Sequence, residues 1–230
     1  MRTEARLSPR PSNPLTREAL LDAARLEFAR SGLDHARVED IARRAGVSKG
    51  AFYLHFDSKE DAFREILQRF LGVLEEQTTR RREAELAFER EVGRPGIGAT
   101  LEQLMQHDCR LDTELLEVLW RNRVILAALD RATGQPYLQM VADFRRRMRQ
   151  LVAGHIALNQ GEGWLRGDVD PEVVGDVIVG AFESYGRRMV DLRAKPDLGA
   201  WSRAFLTLLY QGLFSPAAQR PPTGPPGASD

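Results

Sequence analysis

The chain has 230 residues, 43% hydrophobic and 29% charged, which is enough apolar material for one large domain or two small ones. Its 33 basic and 33 acidic residues cancel, so a nucleic-acid signal, if present, must be local. A single cysteine, Cys109, excludes an intrachain disulfide framework and a cysteine-based zinc cluster, and neither a metal nor a cofactor is expected.

No apolar run approaches the ~18 residues needed to cross a membrane, and the N-terminus lacks a signal-peptide core, so the expected compartment is the cytoplasm. Residues 1–14 hold three prolines and three arginines and read as a flexible arm. Arg2, Arg6 and Arg10 could enter a minor groove, though a plain disordered arm is the simpler reading. Residues 215–230 hold five prolines and two glycines and read as a disordered tail, because so little apolar area cannot offset the entropy of ordering.

Everything between reads as helix. β-branched residues are sparse and no stretch alternates apolar with polar. The first helix is expected to start at Thr16 as its cap, with Leu15 packing on Leu20, and to end at Gly32, where left-handed backbone is needed. Leu20, Leu21, Ala24 and Phe28 form its apolar stripe. A second helix follows at about 38–45 and a third at about 49–54, capped by Ser48. Ser58 opens a fourth helix that continues toward Glu91 until GRPGIG (93–98) breaks it. Further helices are expected at about 98–109, 112–131 and 135–160. Asp170-Pro171 is a start signal, a capping aspartate before a proline at the first helical position. It opens a helix to about Leu192, and a last one covers about 198–214.

The informative segment is VEDIARRAGVSKGAFYLH, Val38 to His55. On a helix-turn-helix each residue type falls where geometry needs it. Ile41 and Ala45 face inward, Ala42 is small where the second helix crosses, and Gly46 occupies the turn. Val47 plugs that turn and Phe52 anchors the second helix. On these residues the run Thr16–Phe70, about a quarter of the chain, resembles the DNA-binding domain of the tetracycline-repressor (TetR/AcrR) family. Phe28…Gly32, the block IARRAGVSKGAFYLHF at 41–56 and Ser58-Lys59-Glu60 carry the resemblance.

The resemblance implies an all-α protein in four parts: an arm (1–14), a helix-turn-helix domain (15–75, motif about 37–56), a ligand-sensing and dimerisation domain (76–214) and a tail (215–230). It implies that Lys49, Gly50, Ala51 and Leu54 face base edges, and that Tyr53, His55 and Lys59 contact phosphates, helped by the amides after Ser48 and Ser58. Arg37 stands where the family usually has Thr or Ser. It removes a helix cap and could reach the same phosphate. Taken singly, these charges read as solvated surface and His55 as structural.

Of the two final helices, the first carries Ile178, Phe182, Tyr185 and Met189, and the second Trp201, Phe205, Leu208 and Leu209. The resemblance favours a two-fold four-helix bundle between subunits. The partners implied are double-stranded palindromic operator DNA, a second copy of the chain and a small apolar or aromatic effector. Met105, Cys109, Leu116, Trp120, Tyr137, Met140, Phe144 and Phe182 are the candidates for lining its pocket, each of which could equally be ordinary core. An enzyme is disfavoured, since no phosphate loop or metal-ligand spacing appears. The reading is a ligand-responsive repressor. An activator, or a helical interaction protein without operator specificity, stays open.

Overall fold

The computed structural model describes residues 14–93, 101–163 and 165–211. Among them the chain is all helical, with α1 (Pro14–Ser31), α2 (Val38–Arg44), α3 (Lys49–Tyr53), α4 (Lys59–Glu91), α5 (Leu101–Arg121), α6 (Arg123–Asp130), α7 (Tyr137–Gly161), α8 (Pro171–Asp191) and α9 (Leu198–Gln211). The expected N-terminal arm through residue 13, the break after Gly93 and the chain beyond Gln211 lie outside the described residues.

Helices α1–α3 and the start of α4 form a small head. Its core joins Leu20, Leu21, Ala24 and Phe28 to Ile41, Ala42, Phe52, Phe56, Ala62, Phe63 and Ile66, all at most 2% exposed. Phe28 and Phe63 meet edge to face at 5.6 Å. The helix starts follow the capping chemistry where a hydroxyl or carboxylate precedes them. Ser48 Oγ accepts the Ala51 amide at 3.2 Å, Ser58 Oγ the Asp61 amide at 3.1 Å, and Asp170 Oδ1 the Glu172 amide at 2.8 Å.

Two local expectations need correction. Helix α1 begins at Pro14, so Thr16 is inside it, and Leu15 is 78% exposed and makes no staple on Leu20. Proline at the first helical position sets the start instead. The expected break near 109–112 is absent, and α5 runs unbroken to Arg121. Nothing there interrupts the helix, because Thr113 Oγ1 returns to the Cys109 carbonyl at 2.6 Å and Asp112 is held by Arg81 at 2.6 Å. The chain breaks at Asn122, whose side-chain amide donates to the Val118 carbonyl at 2.8 Å.

Helix α4 has 33 residues, roughly 50 Å at 1.5 Å per residue. It carries the head core at one end and the sensor core, through Phe70 and Leu74, further along. Helix α7 passes close to α8, and a Cβ on Gly175 would sit 3.2 Å from the Ala153 nitrogen. Helix α9 lies on α5, where Ser202 Oγ donates to the Cys109 carbonyl at 3.1 Å. Near one end of α4, Arg81 is buried between Asp112 at 2.6 Å, Glu85 at 3.1 Å and Asp108 at 3.3 Å. A buried guanidinium with three carboxylate partners is compensated rather than isolated.

Candidate DNA-binding surface and sensor cavity

The turn between α2 and α3 is built by two backbone bonds. Gly46, at φ +72°, donates to Arg43 at 3.1 Å, and Val47 donates to Ala42 at 2.9 Å. A Cβ at Gly46 would touch nothing within 4 Å, so glycine is needed there for its backbone conformation alone. Phe52 is fully buried and orients α3, with Phe56 at 5.3 Å and Tyr53 at 5.5 Å around its ring. This leaves Ser48, Lys49, Gly50, Tyr53 and Leu54 exposed, and Ala51 and His55 half-buried beside them. Leu54 at 65% and Tyr53 at 49% exposure are large apolar groups kept on the outside.

Lys49 is paired with Glu39 at 2.5 Å, which raises the ammonium pKa and lowers that of the carboxylate. Both groups are about half exposed, so exchanging Glu39 for another anion costs little. Arg37 is exposed, caps α2 with no side-chain bond, and has no ion pair among the described residues. Lys59 departs from the expected phosphate contact. Its Nζ donates to the carbonyls of Leu33 at 2.9 Å, Asp34 at 2.9 Å and Ala36 at 3.1 Å, so its three N–H bonds are all used inside the protein.

Sequence reasoning missed the groups that hold this surface. Glu27 is 1% exposed in mid-α1, and it binds Arg30 at 2.8 Å, Ser31 at 2.7 Å and Arg44 of α2 at 3.4 Å. The Arg30 hydrogen bond, aided by Ser31, holds its carboxyl below the usual range despite burial. The i, i+3 and i, i+4 spacing of Arg30 and Ser31 was the available signal. The corner between α6 and α7 grips the head. Arg131 donates to the carbonyls of Ala29 at 2.5 Å and Arg30 at 3.1 Å, Thr133 bonds Asp34, and the Tyr137 hydroxyl donates to Glu60 at 2.7 Å. Burial, then the Glu60 bond, pushes the Tyr137 pKa well up.

The sensor half contains an apolar cavity with about 820 Å³ of space, part of it open to solvent. Phe70 and Leu74 of α4, Leu119 of α5, Leu126 of α6, Met148 of α7 and Phe182 of α8 represent its walls. Asp130, Arg145, Glu183 and Arg187 are its charged lining residues, with Arg145 and Glu183 paired at 3.1 Å. Of the eight expected lining residues, only Phe144 and Phe182 line it. Leu116 is fully buried core, and Tyr137 belongs to the head contact. Trp120 and Met140 pack against the core, and Met105 and Cys109 line a separate cleft between α5 and α9.

The expected dimer surface is likewise divided. Met189 is fully buried within its own subunit, and Ile178 and Phe182 line the cavity, so these three do not form an outer face. Tyr185, Trp201 and Phe205 join α8 to α9 inside the subunit, with Tyr185–Trp201 at 5.2 Å and Phe182–Phe205 at 5.7 Å. The face left open carries Val173 (60%), Val177 (58%), Leu208 (51%) and Leu209 (48%).

Residues 20–66 match the model of bacterial regulatory proteins of the tetR family. The repressor KstR2 of Rhodococcus jostii is 30% identical over 212 residues, spanning 87% of this chain and 92% of that protein. The chain belongs to the TetR family. The repressor DhaR of a Mycobacterium species is 26% identical over 200 residues, covering 86% of this chain and 92% of DhaR. The regulator FadR of Bacillus subtilis, solved with stearoyl-CoA, superposes with TM-score 0.64 at 22% identity, over 86% of this chain and 99% of FadR. That likeness carries the fold: an N-terminal helix-turn-helix followed by a helical sensor. These relatives regulate transcription and are not enzymes.

Proposed function

We propose that this TetR-family chain is a cytoplasmic repressor that binds a palindromic operator as a homodimer and is released by an apolar small molecule in the α4–α8 cavity. The observation that carries the reading is the pairing of two prepared surfaces on one helix. At its start, α4 packs the head that presents Lys49, Gly50, Tyr53 and Leu54, and further along its Phe70 and Leu74 line the cavity. Ala51, Gly50 and Leu54 face base edges, while Ser48, Tyr53 and His55 meet the backbone.

The open face of Val173, Val177, Leu208 and Leu209 is the dimer surface. Two heads about one helical turn, ~34 Å, apart then read two half-sites. The stearoyl-CoA bound by FadR supports an effector with a long apolar portion, which suits walls of Leu, Met and Phe.

The test is a selection of bound duplexes from randomised DNA, followed by anisotropy titration of the selected fragment against non-specific competitor. A palindrome bound at least about 10³-fold tighter than competitor is expected. Stearoyl-CoA is then titrated into the complex and should release it. Equal affinity for selected and random DNA would sink the regulator reading. Unchanged DNA affinity at saturating stearoyl-CoA would sink the acyl effector while leaving the operator binding intact. Transcription of a selected-site template in vitro separates repressor from activator.

A further inference from the structure

We infer that Lys59 is a positioning residue of the DNA-binding head, and that the cation it positions against a phosphate is Arg37; this rests on the operator-binding reading above. The ammonium carries three N–H bonds, and three carbonyls accept them, at 2.9, 2.9 and 3.1 Å. It is half-buried and stands 5.7 Å from the centre of the Tyr137 ring. To reach a phosphate it would exchange three charge-assisted hydrogen bonds for one, and would leave the Leu33, Asp34 and Ala36 carbonyls without that donor.

These carbonyls belong to the connection between α1 and α2. Gly32 starts it at φ +74°, and the Ala36 amide bonds back to the Gly32 carbonyl at 3.1 Å. Lys59 thus ties both ends of a tight loop to the start of α4. The residue after Ala36 is Arg37, whose backbone carbonyl accepts the Ile41 amide at 3.1 Å and opens α2. Arg37 is exposed and has no ion pair among the described residues, so its guanidinium is available to an incoming anion. One lysine inside the loop fixes where one arginine outside it can point.

Salt dependence separates the two roles. A lost phosphate contact flattens the plot of log K against log [salt] by about 0.9, and a lost positioning contact does not. The experiment measures affinity for the selected operator between 50 and 300 mM salt for the full chain and for Lys59→Met, Arg37→Ala and the double variant. Lys59→Met should weaken binding about 5–20-fold with the wild-type slope. Arg37→Ala should weaken it and reduce the slope by about 0.9 per protomer contact. In the Arg37→Ala background, Lys59→Met should add less than about 2-fold, because the residue it positions is already gone. Lys59→Gln keeps two N–H donors without the charge, and should retain the slope and most of the affinity. It also serves if the methionine variant fails to fold. A slope reduced by about 0.9 in either Lys59 variant would make Lys59 itself the phosphate contact and overturn the inference, as would additive losses in the double variant. Absence of operator binding by the wild-type chain would instead defeat the regulator reading.

Discussion

Replacing Tyr137 by Phe removes one hydroxyl from the contact between sensor and head and leaves the ring. Tyr137 is 2% exposed, and its ring packs edge to face on Phe63 at 5.8 Å, so phenylalanine keeps the packing. The hydroxyl donates to Glu60 at 2.7 Å. A hydrogen bond to a charged acceptor contributes ~1.5–3 kcal/mol. Glu60 keeps other donors, including its own amide, so the lower end applies, about 1.5–2 kcal/mol. For a chain of this size that is a fall in Tm of about 3–8 °C, measured by calorimetry at one fixed protomer concentration.

The pH dependence of the same variant has a definite sign. Burial pushes the Glu60 carboxyl up, but the Tyr137 hydroxyl, its own amide and Lys59 outweigh this and hold it below the usual value. A depressed carboxyl stabilises the fold above its unfolded pKa, and the contribution is lost as pH falls through the folded one. The difference between wild type and Tyr137→Phe should therefore be full at pH 7 and shrink on acidification below about pH 4.3, the ordinary glutamate value. A difference under about 1 °C at pH 7, or one that grows on acidification, would refute the assignment.

Val177→Glu with Leu208→Glu should give a monomer by light scattering at micromolar concentration, because each would bury an unpaired charge in the dimer; a dimer that persists removes this face as the interface. Gly186→Val should lower both Tm and operator affinity, since a Cβ there already meets Leu126 Cδ1 of α6 at 3.1 Å and overpacking costs about 1–3 kcal/mol. Unchanged operator affinity with a reduced Tm would show that pressure on α6 does not reach the head. His107 is 5% exposed and burial lowers its pKa, so the native state resists the proton that the unfolded chain accepts below about pH 6.5. Stability should fall from pH 7.5 to 5.5, and His107→Gln should lose less over that interval by calorimetry.

The helix-turn-helix was legible because its requirements are local. Gly46 is needed for one φ, Ser48 for one cap, and Ala42 and Phe52 for one crossing, all within fifteen residues of each other. The two faces of α8 were not separable by the same means. Ile178, Phe182 and Gly186 line the cavity while Val173 and Val177 stand outside, and both sets are small or apolar at helical spacing. Periodicity identifies an apolar stripe but not which neighbour covers it, so cavity and interface residues were expected on one list. Lys59 could not be read from sequence either. Its role depends on carbonyls about 25 positions earlier in the chain, and a carbonyl belongs to every residue type.

The structure also alters the expected path of any signal between the two halves. A helix running from head to sensor suggests that the tilt of α4 alone couples them. Yet Leu126 and Leu129 of α6 line the cavity, and the corner directly after α6 holds the end of α1 through Arg131 and the following loop through Thr133. A Cβ on Gly134 would lie 2.9 Å from the Asp34 carboxylate, so the corner and the loop are already in close contact. The head is therefore held at two points, one on each side of the cavity. A ligand that separated α4 from α6 would move these points relative to each other and rotate the head, whereas one that moved both together would only translate it. Changing the distance between two recognition helices needs rotation, so an effective ligand must act between these helices rather than merely occupy space. A coupling of ~1–3 kcal/mol, about 5–150-fold in affinity, is the usual scale for such a difference. A ligand that binds tightly without distinguishing the two head orientations would leave operator affinity unchanged.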